Sequence, residues 1–333
     1  LKIVLLVTSP GDLMCGVADY TEKLAQAFLD IGAEAVIERP RRWSAGEIAR
    51  IRRGHHGHGA VLHLQYPSLT MGNSLAPAIL PVTEPNVYVT LHEFRLFSLP
   101  RKLIFLPYAL KARTILFSNE AERDGFHRAF PFGPAPLHVL PIGNNILKLN
   151  EVVERRERLV YFGQISRNKG IEIFFDAVAD LRRKGAPVDV RMIGAMVEGD
   201  GEFRAMVEDR SRDLGVTLRL NLPPDDVSRE LLAASIALLP FPDGVSDKRG
   251  SALACLDHGV TLLTTQSDKT PAWLKQTTLA IADAADASGV VDRLLSGQMQ
   301  RQPAPDILAR ELKARDWREI ARAHLELYER TMR

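Results

Sequence analysis

Ile236-Ala-Leu-Leu-Pro-Phe-Pro-Asp-Gly-Val-Ser-Asp-Lys-Arg-Gly-Ser-Ala-Leu-Ala-Cys-Leu-Asp-His-Gly259 is the stretch that decides the fold. Its first five residues are an unbroken apolar run, the pattern of a strand buried on both faces of a parallel sheet. A polar loop follows, carrying Asp243, Gly244, Lys248 and Arg249. Arg249 to His258 reads as a short helix opening at Gly250 and Ser251 and stopped by Gly259. Val260–Thr265 is the next strand. Strand, polar loop and helix start in this order make an anion site at the carboxyl end of a parallel sheet. The unpaired N–H groups of the first helical turn face the ligand, and the helix dipole adds to them. Lys248 and Arg249 stand where they neutralise a diphosphate.

Outward from this stretch the same alternation repeats. Strand patterns rich in Val, Ile, Leu and Thr occur at 2–9, 34–39, 60–66, 87–92, 114–119 and 138–142. A second set occurs at 159–163, 188–193, 217–222, 236–240, 261–265 and 279–282. Helices are expected at 18–28, where Tyr20, Leu24 and Phe28 share a face, and at 103–112, 171–183, 201–214 and 227–234. Alternating strands and helices imply parallel sheets with right-handed crossovers. Two sets in 333 residues imply two doubly wound α/β domains. The polar stretch 145–158 is the expected join. The segment 316–332 reads as an amphipathic helix with Trp317, Ile320, Leu325 and Tyr328 on its apolar side.

A second loop carries chemistry. Phe162-Gly-Gln-Ile-Ser-Arg-Asn-Lys-Gly170 leaves a strand, turns at Gly163 and brings Arg167 and Lys169 to a helix entrance. Lys and Arg there grip phosphate oxygens, Arg bidentately. Alone this motif is weak; with the 243–251 loop in the same domain it points to a phosphate ligand.

Gly163-x5-Lys169-Gly170, the 243–259 loop-helix and the terminal Trp-containing helix together resemble the retaining GT-B nucleotide-sugar glycosyltransferases of family 4. Leu140-Pro-Ile-Gly-Asn-Asn145 is similar to the family's turn into the interdomain linker, Val89-Thr-Leu-His-Glu93 to its Thr-x-His strand end, and Gly16-Val-Ala-Asp-Tyr20 to its loop before the first helix. The resemblance implies a GT-B fold, two Rossmann-like domains facing a cleft. Residues 1–148 would bind the acceptor, with helix 316–333 packed back onto them; residues 149–315 would bind the nucleotide sugar. It implies sugar transfer to a glycan or lipid-linked glycan, with a role in bacterial surface polysaccharide synthesis. It also implies that His92 contacts the donor sugar, with Lys169 and Arg167 stabilising the departing diphosphate. Gly16, Gly163, Gln164, Asp243, Gly244, Lys248, Arg249, Gly250 and Ser251 would line the donor. Gln164 stands where the family has Arg. Ser246 and Ala254 stand where it has two Glu spaced eight apart.

On the acceptor side the expected residues are Asp19, Gln65, Tyr66 and Glu93. Asp19, Gln65, Tyr66 and also His92 each have a plainer reading. Asp19 suits the first-turn dipole of a helix, Gln65-Tyr66-Pro67 a packed loop, and His92 a cap on a neighbouring loop. His55-His56-Gly-His58 reads as surface histidines in a basic loop, not a metal site. With no Asp-x-Asp at a strand end, neither metal nor cofactor is expected beyond the nucleotide sugar co-substrate. No Gly-x-Gly-x-x-Gly follows the first strand and no Gly-x-Ser-x-Gly occurs, against a dinucleotide dehydrogenase or an elbow-type hydrolase. A nucleotide-sugar epimerase and a non-catalytic GT-B subunit remain as alternatives.

Composition sets the compartment. Cys15 and Cys255 lie in no motif, fitting a reducing cytosol. No run approaches a membrane span and no leader pattern is visible, so a cytoplasmic protein is expected. The net charge of +2 is uneven: residues 1–150 hold 16 Lys and Arg against 12 Asp and Glu. Arg39, Arg41, Arg42, Arg50, Arg52 and Arg53 supply much of that excess. A solvated surface and a basic rim for peripheral contact at the inner membrane face are both open. No nucleic-acid partner is expected.

Overall fold

The computed structural model describes residues 1–8, 16–55, 59–68, 71, 74–196, 199–301 and 303–332. The chain divides into two compact units, Leu1–Asn145 with Ala314–Arg333, and Ile146–Lys313. The first contains β1 (Lys2–Leu6), α1 (Gly16–Asp30), β2 (Glu34–Glu38), α2 (Ala45–His55), β3 (Val61–Tyr66) and α3 (Leu80–Thr83). It continues with β4 (Val87–Leu91), α4 (Leu99–Leu103), α5 (Leu106–Lys111), β5 (Thr114–Phe117), α6 (Glu120–Ala129) and β6 (Leu137–Val139). The second contains β7 (Arg158–Phe162), α7 (Ile171–Arg183), β8 (Asp189–Gly194), α8 (Gly201–Leu214), β9 (Val216–Leu220) and α9 (Pro224–Leu232). Then come β10 (Ile236–Leu239), α10 (Gly250–Asp257), β11 (Thr261–Thr264), α11 (Ala272–Thr277), β12 (Leu279–Ala280), α12 (Ala284–Leu295) and α13 (Pro305–Ala314). The last helix, α14 (Trp317–Met332), belongs to the first unit.

Each unit is built on a six-stranded, wholly parallel sheet, ordered β2-β1-β3-β4-β5-β6 and β12-β11-β10-β7-β8-β9. In each the chain builds outward in one direction and then reverses. The reversal lies between β1 and β3 in the first unit and between β7 and β10 in the second. In open α/β sheets that switch point opens a crevice beyond the strands' carboxyl ends.

Alternation along the strands divides the first sheet into two faces. Ile3, Leu5, Val61 and Tyr88 pack with Leu24 and Phe28 of α1 and with Trp317, Ile320 and Tyr328 of α14. Val4, Leu6, Leu62 and Leu64 pack on the other side with Phe94, Phe105, Tyr108 and Phe126. α14 is held by more than area. Its Tyr328 hydroxyl lies 2.5 Å from Nδ1 of His63, whose Nε2 is 2.8 Å from Thr90 Oγ1. Trp317 Nε1 donates to the Asn144 carbonyl at 2.7 Å. Gly143 lies flat beneath the same indole, where a Cβ would come within 2.5 Å of the ring.

Local signals end the helices. Asn119, Asp200 and Asp283 cap α6, α8 and α12, each accepting a backbone N–H from the first turn, and left-handed Gly215 closes α8. The expected helix over 103–112 forms as the shorter α5, Leu106–Lys111, separate from α4, which ends at Leu103. Pro107 stands in the first turn of α5, where its missing N–H is free of penalty but starts a new helix. The expected loop at His55 is the last residue of α2, with Nε2 3.1 Å from Glu38 Oε1; His56 and His58 lie outside the described residues, as does Cys15. Much of the basic excess is spent internally. Arg39 pairs with Glu22, Arg50 with Glu38 and Glu47, and Arg52 with Glu84. Among the described residues no helix is long and apolar enough to cross a membrane.

Candidate functional site

The second unit's switch point brings the two motif loops together. Gly170, at φ +70°, ends the loop after β7, and a Cβ there would collide with the Pro240 carbonyl at the end of β10. Gly163 sits beneath the start of α10: its Cβ would lie 3.4 Å from the Ser251 side chain. The Gly194 backbone at the end of β8 closes on Gly163 from the other side. Tyr161 Oη donates to the Gln164 carbonyl at 3.0 Å, shaping the turn and leaving the Gln164 side chain exposed. The loops therefore form one wall.

Its electrostatics favour an anion. Burial pulls the Lys169 ammonium below its ordinary range, and the neighbouring Arg249 charge pulls it further; Asp243 opposes this. Asp243, largely exposed, reaches Arg249 only at 3.8 Å. The Arg249 guanidinium lies over the Phe241 ring at 4.9 Å. Arg249 is also the N-cap of α10 and offers no side-chain cap. The Gly250 and Ser251 N–H groups have no acceptor among the described residues, as the first turn of a helix dictates. Two like charges held near open N–H groups are poised for an anion. Lys248 is half-buried on the same loop, and Gly244 is buried against Ser267.

Arg167 is placed differently from expectation. It makes two bonds, 2.6 and 3.0 Å, to Asp200, and it covers the Phe203 ring. Its charged neighbours are Asp200, Glu202 and Glu172, not the Lys169–Arg249 pair. Asp200 also caps α8, so Arg167 ties the loop to that helix. Ala254, where the resemblance has a Glu, is completely buried in the core.

In the first unit, the residues expected at the donor sugar and at the acceptor separate into groups. His92, at the end of β4, is buried with Nε2 3.1 Å from Gln65 Oε1, and its ring meets Tyr20 edge-on at 4.9 Å. Gln65 is fully buried, and its Nε2 has no hydrogen-bond partner among the described residues. Tyr66 is a core residue. Its ring packs on Phe97 and Phe105, and its hydroxyl accepts from Arg101 Nε at 2.9 Å. Glu93 is exposed. Asp19 stands in the first turn of α1. Burial raises its carboxyl, Lys23 partly offsets this, and an Asn145 side-chain hydrogen bond also lowers it. Gly16 is exposed, and a Cβ on it would touch nothing, so the protein's own packing does not demand glycine there.

Sequence reasoning placed Tyr20 on the apolar face of a helix but not against His92, and it gave Asn145 no role at the site. Tyr20 links the His92 ring to Trp317, whose centroid is 5.2 Å away. The signal was present in Pro-Ile-Gly-Asn-Asn145: Gly143 admits the indole, the Asn144 carbonyl holds it, and Asn145 reaches Asp19. Among the described residues no group of three or more His, Cys, Asp or Glu has metal-holding geometry.

No family model matches the chain. No curated protein matches it either. Solved structures do. A glycosyltransferase from Rickettsia africae superposes with a TM-score of 0.73 at 12% identity, covering 100% of this chain and 99% of that one. Anabaena HepE in complex with UDP gives 0.71 at 14% identity over 99% and 100%. Sucrose-phosphate synthase from Thermosynechococcus elongatus gives 0.66 at 14% identity over 99% of each chain. At these identities the likeness establishes the fold: two Rossmann-like α/β units of the GT-B class.

Proposed function

We propose that the protein is a glycosyltransferase that moves a sugar from a nucleotide diphosphate sugar to a glycan or lipid-linked glycan. In this reading it acts with retention, as a member of family 4, without a metal, in the cytoplasm with peripheral contact at the inner membrane face. Its product would enter a bacterial surface polysaccharide. The observation that carries the reading is the convergence of Lys169 and Arg249 on the open N-terminus of α10 at the switch point. HepE's complexes with UDP and with UDP-glucose support a uridine nucleotide as the first donor to try.

In the proposed reaction the bond from the anomeric carbon to the β-phosphate oxygen breaks, and a bond to the acceptor oxygen forms. The acceptor's hydroxyl proton passes to the departing phosphate oxygen. Lys169, Arg249 and the Gly250 and Ser251 amides stabilise the charge that develops on the diphosphate. Lys248 and the Asp243-Gly244 turn border the same wall. His92, held by Gln65, positions the transferred sugar; Asp19 and Glu93 serve the acceptor. Arg167 contributes by fixing the loop to Asp200.

The test is thermal stability with UDP, GDP, ADP and dTDP, then their sugars, on wild type and Lys169→Ala. A ligand bound only by the folded state adds about 2.7 kcal/mol at a hundred times its Kd. Selective stabilisation by one nucleotide, lost in Lys169→Ala, supports the transferase and names its base. No response at millimolar concentration favours a non-catalytic subunit, the reading on which Gln164 and buried Ala254 bear. Turnover of the nucleotide sugar to an isomer without acceptor favours an epimerase.

A further inference from the structure

Apolar exposure in this protein is concentrated. Of the thirteen large apolar side chains exposed among the described residues, eight lie between positions 75 and 132. Their segments form the layer that covers one face of the first sheet. Phe94, Phe97, Ile104, Phe105 and Tyr108 turn inward to the core. Leu96, Leu99 and Leu103 turn outward, 79%, 78% and 63% exposed. Leu110 on α5 and Phe132 after α6 are also exposed. They sit on adjoining backbone, since Gly133 packs on Ala109 and Ala135 N–H bonds the Ala109 carbonyl at 3.1 Å. Single exposed leucines are ordinary; a layer that collects them is not.

Charge identifies the occupant. Residues 93–113 carry Arg95, Arg101, Lys102, Lys111 and Arg113 against one acid, Glu93. Arg101 and Lys102 run their stems over aromatic rings, the guanidinium 4.8 Å from the Phe97 centroid and the ammonium 5.5 Å from that of Phe94. Leucines projecting singly from short helical turns, interleaved with cations, match the headgroup boundary of an anionic bilayer.

We propose that residues 94–113, with Phe132, form a docking face for an anionic lipid surface: Leu96, Leu99 and Leu103 enter the headgroup boundary, and Lys102 and Lys111 meet lipid phosphates. The inference deepens the peripheral contact proposed above and assigns it to this layer, not to the Arg39–Arg53 segment, where Arg39, Arg50 and Arg52 are paired with carboxylates.

The experiment is vesicle sedimentation of the full chain without nucleotide, so its outcome is separate from the donor test. Wild type is expected to sediment with phosphatidylcholine–phosphatidylglycerol vesicles but not with phosphatidylcholine alone, and less at high salt. The triple variant Leu96→Asn, Leu99→Asn, Leu103→Asn is expected to stay in the supernatant. Lys102→Gln and Lys111→Gln each weaken binding about fivefold. A Leu99→Trp variant keeps the test valid if the triple variant misfolds. Its emission is expected to shift blue on anionic vesicles and to be quenched by brominated acyl chains, beyond the wild-type response. Three results overturn the proposal: no binding to anionic vesicles, binding unchanged in the triple variant, or a wild-type dimer that the triple variant turns into a monomer, which would assign the face to a second chain.

Discussion

Gly170 rests on the Pro240 carbonyl with no room for a side chain between them, so the loop after β7 and the end of β10 are one structure. These segments lie seventy residues apart in sequence, and the two loops form one wall only because they touch. Gly170→Ala would place a Cβ against that carbonyl in a backbone at φ +70°. The left-handed conformation alone costs about 1–2 kcal/mol. The expected outcome is a lower urea midpoint and loss of nucleotide-induced stabilisation, even though residue 170 itself carries no charge.

Lys169 and Arg167 are near neighbours in sequence with different surroundings. Lys169→Met is expected to weaken nucleotide binding by about tenfold to a hundredfold, the range for one hydrogen bond to a charged group. Arg167→Ala is expected to change it by no more than about twofold, because its guanidinium is held by Asp200. Titration calorimetry on both variants decides this; equal losses would return Arg167 to the phosphate.

Acid should loosen α14. His324 is fully buried and burial depresses it to about 4; His63 is pushed well below its ordinary value by burial and by the nearness of His324. Below pH 6.5 the unfolded chain takes up protons that the folded state refuses, so stability falls as pH drops. For His324 the loss continues to about pH 4 and reaches about 3 kcal/mol. Denaturation midpoints from pH 7.5 to 4.5 should show this slope, and His324→Gln should flatten it.

Trp317 anchors α14 through packing and one hydrogen bond. Trp317→Phe keeps an aromatic ring but removes the hydrogen bond from the indole N–H to the Asn144 carbonyl, a loss of about 1 kcal/mol. Gly143→Ala meets the indole directly and should cost more. Chemical denaturation followed by tryptophan emission measures the second variant; circular dichroism serves the first.

Legibility in the sequence followed the strength of the local signal. Each expected strand segment carries Val, Ile, Leu or Thr, and a strand forms at each of them. α7 and α8 have strong apolar or capped boundaries and match their expected limits. Of the helices that were not read, α2 and α6 bury only two residues each and are otherwise largely charged. Their stability comes from the sheet beneath them, which no window of sequence contains.

The sequence by itself determined the two parallel sheets, the Gly-bearing loops after β7 and β10, and the Lys and Arg that each loop carries. These are properties of short stretches: period, turn chemistry and charge. Only tertiary structure decided that Lys169 and Arg249 converge while Arg167 turns to Asp200, that Tyr66 enters the core while His92 rests on Gln65, and that α14 rejoins the first unit over Gly143. Each outcome depends on which side chain lies within a few ångströms across the fold. Chain separation carries no information about that distance until the sheets are assembled.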